Sequence, residues 1–235
     1  MLSAFILAAA LANPDPIREV VYKVSYTRRL DANQETFGGQ VSDAAGHVYQ
    51  SPPFNSKEGI ASDNGTITVD VMQVAGDMLG IRLMEHWEGA TPSSTYLGNV
   101  GADGSVNFSS PQVTDVSRTI LEFFWPGFLG GRDMDKGVTW TQTSSGSGLN
   151  VSSTFSISNI DGSVASVSQT TTIKSTSVRS MDSLTTGSIT YKATKLVPIS
   201  GRLQSLAYRS DAESSTDVTT TINFERVSDT LDSGP

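Results

Sequence analysis

The sequence predicts a mainly β protein: a single curved antiparallel sheet with one capping helix near residues 113–125. Three observations predict it. Apolar residues alternate with Ser and Thr along one run after another, turn-forming Gly and Asx residues separate the runs, and one stretch behind the N-terminal segment has helical spacing. Ser and Thr make up roughly a quarter of the chain, far above ordinary usage. Thr suits an outward position because its β-branch fits the pleat and its hydroxyl tolerates water.

The elements follow in order. Met1–Ala12 is an uncharged apolar run that ends in Ala10-Leu11-Ala12, the small-x-small form of a signal-peptide cleavage site, and Asn13-Pro14-Asp15-Pro16 stops it. Residues 1–12 are therefore read as a signal peptide and 13–235 as one β-rich domain. Val20, Tyr22, Val24 and Tyr26 share one face of a first strand. Residues 31–62, with Gly38-Gly39 and Pro52-Pro53, read as an irregular connection. Ile67, Val69 and Val71 share a face of the next strand, and Ile81, Leu83 and Trp87 a face of a third. Thr114 or Asp115 can cap a helix in which Val116, Ile120, Phe123 and Phe124 recur at helical spacing, and Pro126-Gly127 ends it.

Later strands carry Phe155 and Ile157; Val167, Thr171 and Ile173; Ile189, Tyr191 and Ala193; Leu206 and Tyr208; then Val218, Thr220, Ile222 and Phe224. Asp63-Asn64-Gly65, Ala75-Gly76-Asp77, Ala102-Asp103-Gly104, Asp161-Gly162-Ser163 and Ser200-Gly201 read as turns. Residues 228–235 read as a flexible tail.

Composition narrows the function classes. The net charge is −8, with about −6 on residues 1–110 and about −2 on 111–235, and no basic stripe interrupts it. Nucleic acid and anionic membrane surfaces both require clustered Lys and Arg, so neither is an expected partner. Zero cysteines exclude disulfides and thiolate-bound metals. No run approaches the roughly 20 apolar residues of a membrane-spanning helix, so the chain is not expected to be an integral membrane protein. The expectation is a soluble exported monomer, periplasmic or extracellular.

The helix, its aromatic end Phe123-Phe124-Trp125, then Pro126 and the strand opening Lys136-Gly137-Val138-Thr139-Trp140, resemble a family of uncharacterised exported bacterial β-rich proteins. Asp161-Gly162, Gly187-Ser188-Ile189-Thr190-Tyr191 and Gly201-Arg202-Leu203-Gln204-Ser205 fit the same layout. The resemblance covers roughly residues 114–227, and its motifs are mostly turn and core positions. That family is similar in turn to the periplasmic lipoprotein-carrier fold, which implies a half-barrel with a helix over its concave side. Gly130–Asp135 departs from the pattern as a longer loop, which touches the geometry of any pocket. The resemblance implies a lipid-like or apolar ligand against Phe124, Trp125, Phe128 and Trp140. A plain aromatic core explains the same four residues.

No catalytic constellation stands out. Glu85-His86-Trp87-Glu88 puts His86 and Glu88 on one strand face, as a base and its orienting carboxylate, yet Arg82 and Met84 share that face and a solvated surface explains all four. Two His residues, His47 and His86, have no zinc-ligand spacing. Arg132, Asp133 and Asp135 lie close enough in sequence to hold a cation or to pair in a surface loop. No nucleophile elbow or phosphate-binding glycine loop is present. Glu85 with Glu122 would serve glycoside hydrolysis only across a common cleft. The expectation is a non-enzymatic protein with no cofactor and no metal. It holds an apolar or lipid-like ligand or serves as a cell-envelope interaction module with a filled core, while a glycan hydrolase is the third reading.

Overall fold

The computed structural model describes residues 15–31, 40–42, 48–50, 59–75, 78–90, 92–101, 106–108, 110, 112–124, 135–146, 149–175, 181–192, 197–210 and 215–232. The signal-peptide reading, Trp125, Phe128 and the loop Arg132–Met134 lie outside them. In chain order the strands are β1 (Arg18–Asp31), β2 (Gln40–Ser42), β3 (Val48–Gln50), β4 (Ile60–Ala75), β5 (Met78–Trp87), β6 (Ser94–Val100) and β7 (Val106–Phe108). Helix α1 (Asp115–Glu122) follows, then β8 (Thr139–Gly146), β9 (Leu149–Asp161), β10 (Val164–Ser175), β11 (Met181–Lys192), β12 (Val197–Ser210) and β13 (Ser215–Asp229).

Eleven strands form one sheet in the order β7-β6-β5-β4-β1-β13-β12-β11-β10-β9-β8, with antiparallel neighbours throughout. Each long strand pairs with its chain neighbour, as short turns favour. The exception is the centre, where β1 lies between β13 and β4, its connection to β4 running through residues 32–59. The sheet stays open, with β7 and β8 as its edges.

Register turns the alternating residues into rows across the inner face. One row runs Ile157, Val167, Ile189, Gly201, Phe224, Val24, Gly65 and Trp87, from β9 to β5. Its six apolar side chains, with Val20, Tyr22, Ile67, Val69, Ile81, Leu83 and the buried face of α1, belong to a single apolar cluster. The predicted inward residues of β1, β4 and β5 are all buried.

Curvature follows from a comparison of lengths. Glu85 on β5 and Tyr191 on β11 stand five strand spacings apart, about 24 Å along the sheet. Both bond to the same short helix, at Thr114 and at Phe123, nine residues or about 14 Å apart. Upright side chains on a flat sheet would miss one end. The sheet curls around the helix, which is the half-barrel expected.

Several expectations need correction. Regular structure enters both ends of residues 31–62, and β2 pairs with β3 as a separate hairpin between them. Asp63-Asn64-Gly65 and Ser200-Gly201 are not turns; they lie inside β4 and β12. Glycine stands there because an aromatic ring lies over it: a Cβ on Gly201 would sit 2.3 Å from Phe224 Cζ, and one on Gly65 2.8 Å from Trp87 Cε3. Asp161-Gly162 is a turn as read, with Gly162 at φ 57°. Leu206 does not line the inner face and is 52 % exposed. Leu203 is the buried residue, and residues three apart on a strand point to opposite sides. Residues 228–232 are not a tail: Ser228 and Asp229 complete β13, Thr230–Asp232 form a 3-10 turn, and 233–235 lie outside the described residues. Asp229 is held there by Arg18 and Arg226, at 2.6 and 2.9 Å. The outer face is not uniformly solvated either: Asp70 and Met72 are buried on it, with Asp70 paired to Arg82 at 2.6 Å.

Candidate binding site

Helix α1 forms where the spacing placed it, in eight residues rather than thirteen. Thr114 is its N-cap, and the Thr114 hydroxyl oxygen accepts from the Ser117 N–H at 3.3 Å. Val116, Ile120 and Leu121 turn one face to the sheet, and Phe123 and Phe124 continue that face past the last turn. Phe124 packs against Tyr22 with ring centroids 5.9 Å apart, and Phe123 stacks on Phe224 at 6.4 Å.

Each end of the helix is fixed by a polar group that rises from the inner face. At the N-terminal end the Thr114 N–H and hydroxyl both donate to Glu85 Oε1, at 3.1 and 2.9 Å. Glu85 is only 2 % exposed, between Leu83 and Trp87 on the inward side of β5. Burial pushes its carboxyl above the ordinary carboxylate range, against the opposing pull of Ser117, Thr114 and Trp87. At the C-terminal end the Tyr191 hydroxyl donates to the Phe123 carbonyl at 2.6 Å, satisfying an acceptor the helix leaves open. Burial raises the Tyr191 pKa, so the hydroxyl keeps its proton. Beside it, the Tyr22 hydroxyl donates to the Pro198 carbonyl at 2.8 Å.

Of the four residues singled out for an apolar ligand, Phe124 and Trp140 are described. Both are buried members of the apolar cluster, Phe124 beneath the helix end and Trp140 stacked on Phe155 at 5.3 Å near the β8 edge. They stand on different parts of one face. Glu85 was missed as an anchor, although its parity with Leu83 and Trp87 already places it inward. His86 and Glu88 stay exposed with separate partners: His86 Nδ1 meets Ser93 Oγ at 3.0 Å, and Glu88 accepts from Asn64 Nδ2 at 3.4 Å. Glu122 faces solvent while Glu85 is enclosed, so the two acids do not share a cleft. Among the described residues no group of three or more His, Cys, Asp or Glu is placed to hold a metal, and no helix is long and apolar enough to cross a membrane.

A recess of about 550 Å³ lies between Thr143, Asn150, Ser152, Thr172 and Lys174. Those positions alternate with the inward residues of β8, β9 and β10, so the recess belongs to the outer face. Val151, of inward parity, also lines it, so the lining mixes hydroxyl, amide and ammonium groups with apolar surface at the β8 edge.

No protein-family model matches the sequence, and no curated protein matches it. A solved structure described as "Lipid-protein interactions in lipovitellin" superposes with a TM-score of 0.48 at 11 % identity. The match covers 92 % of this chain and 25 % of that one, so this chain spans about a quarter of its length.

Proposed function

We propose that this is a non-catalytic exported protein that binds an apolar or lipid-like ligand on the inner face of its sheet. Helix α1 is the element that gives way to the ligand. The observation that carries this reading is how the helix is held. A broad apolar face lies beneath a helix of eight residues, fixed by discrete polar bonds at Thr114 and Phe123. Such an element can lift as a unit where a ligand replaces the apolar contacts of Val116, Ile120, Leu121, Phe123 and Phe124 once the bonds at its two ends are broken. The run Met1–Ala12 supports export, and the curl of the sheet around α1 supports a carrier.

The test is native mass spectrometry of the purified protein, followed by titration with a fluorescent fatty acid. A one-to-one adduct and saturable binding are expected. A protein that repeatedly carries no lipid and leaves the probe unbound sinks the reading.

One observation favours an envelope module with a filled core instead. Val20, Tyr22, Ile67, Val116 and Ile120 are fully enclosed by their own neighbours. Under that reading the α1 amides exchange with solvent only through global unfolding, and under the carrier reading they exchange sooner.

A further inference from the structure

The inner face changes character below its apolar rows. Ser153, Thr171, Thr185, Ser205 and Thr220 are register neighbours on β9 to β13, and together they make one row of hydroxyls. Ser153 and Thr171 share a hydrogen bond of 2.8 Å, and Thr171 is buried. The adjoining row holds Trp140, Phe155, Gln169 and Leu203, which sets one amide among apolar side chains.

Gln169 is 8 % exposed. Its Nε2 donates to Thr171 Oγ1 at 3.0 Å, while its Oε1 has no partner. Turning the amide over does not cure this. Oε1 would then take the Thr171 hydroxyl, and Nε2 would be left without an acceptor. A buried amide with half its capacity unused is costly, and folded proteins keep few of them. The unused half points to a ligand that completes it.

We propose that Gln169 and the hydroxyl row beside it bind the neutral, hydroxyl-bearing head of a lipid-like ligand, of glycerol or sugar type. This rests on the apolar-ligand reading above and adds the chemistry of the head. An amide and a set of hydroxyls can both donate and accept, which matches a polyol. A carboxylate or phosphate head would need a cation. The cation of the hydroxyl row is Arg28 on β1, whose Nε is also buried without a hydrogen-bond partner; it stands four strands from Gln169, so the palmitate arm of the test below decides between the two head groups. The chain of the ligand would lie on the apolar rows under α1.

The full chain is titrated with monopalmitoylglycerol, palmitate and methyl palmitate. Monopalmitoylglycerol is expected to bind about tenfold tighter than the methyl ester, the worth of one satisfied buried hydrogen bond. In Gln169→Met the ratio falls to about one, the affinity for methyl palmitate holds, and the melting temperature of the free protein rises because the unmatched amide is gone. A purely structural glutamine would lower the melting temperature and leave the ratio unchanged, and that result overturns the assignment. If this variant does not fold, Thr185→Val gives the same readout from the hydroxyl row. Equal binding of all three lipids, or tightest binding of palmitate, overturns the head-group site and leaves the apolar-ligand reading standing. Binding of none overturns both.

Discussion

Glu85 and Thr114 are joined twice through one oxygen, since the Thr114 N–H and hydroxyl both donate to Glu85 Oε1. The capping residue of the helix is thus bonded to the sheet that the helix covers. Loss of an ordinary cap costs about 1 kcal/mol. Thr114→Ala should cost more, about 2 kcal/mol, because it also strips the hydroxyl donor from a buried carboxyl and leaves only the backbone N–H on that oxygen. Glu85→Gln keeps an acceptor in place and should cost about 1 kcal/mol. In a double-mutant cycle read by urea unfolding, the expected coupling is about 1 kcal/mol. A coupling near zero would show that cap and carboxyl act independently.

The pH dependence of Glu85 has a definite sign. Burial raises its folded-state pKa above the ordinary 4.5. Its contribution to stability is therefore fully present below pH 4.5 and is lost as pH rises through the folded value. Glu85→Gln carries no charge at any pH. The variant should gain on the wild type between pH 4.5 and pH 7, in unfolding free energies measured at intervals across that window. A constant difference between the two proteins would mean that Glu85 does not change charge there.

Gly201 and Phe224 make a different kind of contact. Phe224 covers the Cα of Gly201 across the β12–β13 pair, leaving no room for a methyl group. Gly201→Ala should destabilise by about 2–3 kcal/mol, the cost of forcing a core ring from its place. Gly201→Ala combined with Phe224→Leu should be more stable than the sum of the two single losses, since the smaller side chain yields the space. Strict additivity in thermal melts would contradict the packing account.

These cases mark what the sequence made legible. Period-two alternation placed Val20, Tyr22, Val24, Ile67 and Leu83 on the inner face, because burying one side of a sheet leaves that signature and little else does. Helical spacing of Val116, Ile120, Phe123 and Phe124 behind a capping Thr114 placed α1 in the same way. Gly65 and Gly201 misled because a glycine under a cross-strand ring and a glycine in a turn look alike until the register is known. Leu206 misled because Leu203 and Leu206 compete for one parity, and nothing local chooses between them. Glu85 lay in plain view at an inward position, but a carboxyl there conflicts with the pattern until its partner Thr114, 29 residues away, is seen. Gln169 is the same case on β10. The polar residues that break alternation were the ones to follow.

Asp229 should titrate in the opposite sense to Glu85. Burial alone would raise its pKa. The Arg18 hydrogen bonds, the Leu231 N–H and the charges of Arg18 and Arg226 outweigh burial and hold the carboxyl below its ordinary 3.8. Its stabilising contribution is present above pH 3.8 and is lost as pH falls through the folded value. Asp229 also joins the last strand to the first, since Arg18 donates to it through Nε at 3.0 Å and through a terminal nitrogen at 2.6 Å. Asp229→Asn keeps the shape but removes the charge between two guanidinium groups whose side chains are 14 % and 9 % exposed. The expected cost at pH 7 is about 3 kcal/mol, as for removing one partner from a buried ion pair. Because the wild type loses its own carboxylate in acid, the gap between the two proteins should narrow from pH 5 toward pH 2. A gap that stays the same width throughout would mean that the cluster stabilises by packing, with the charge of Asp229 idle.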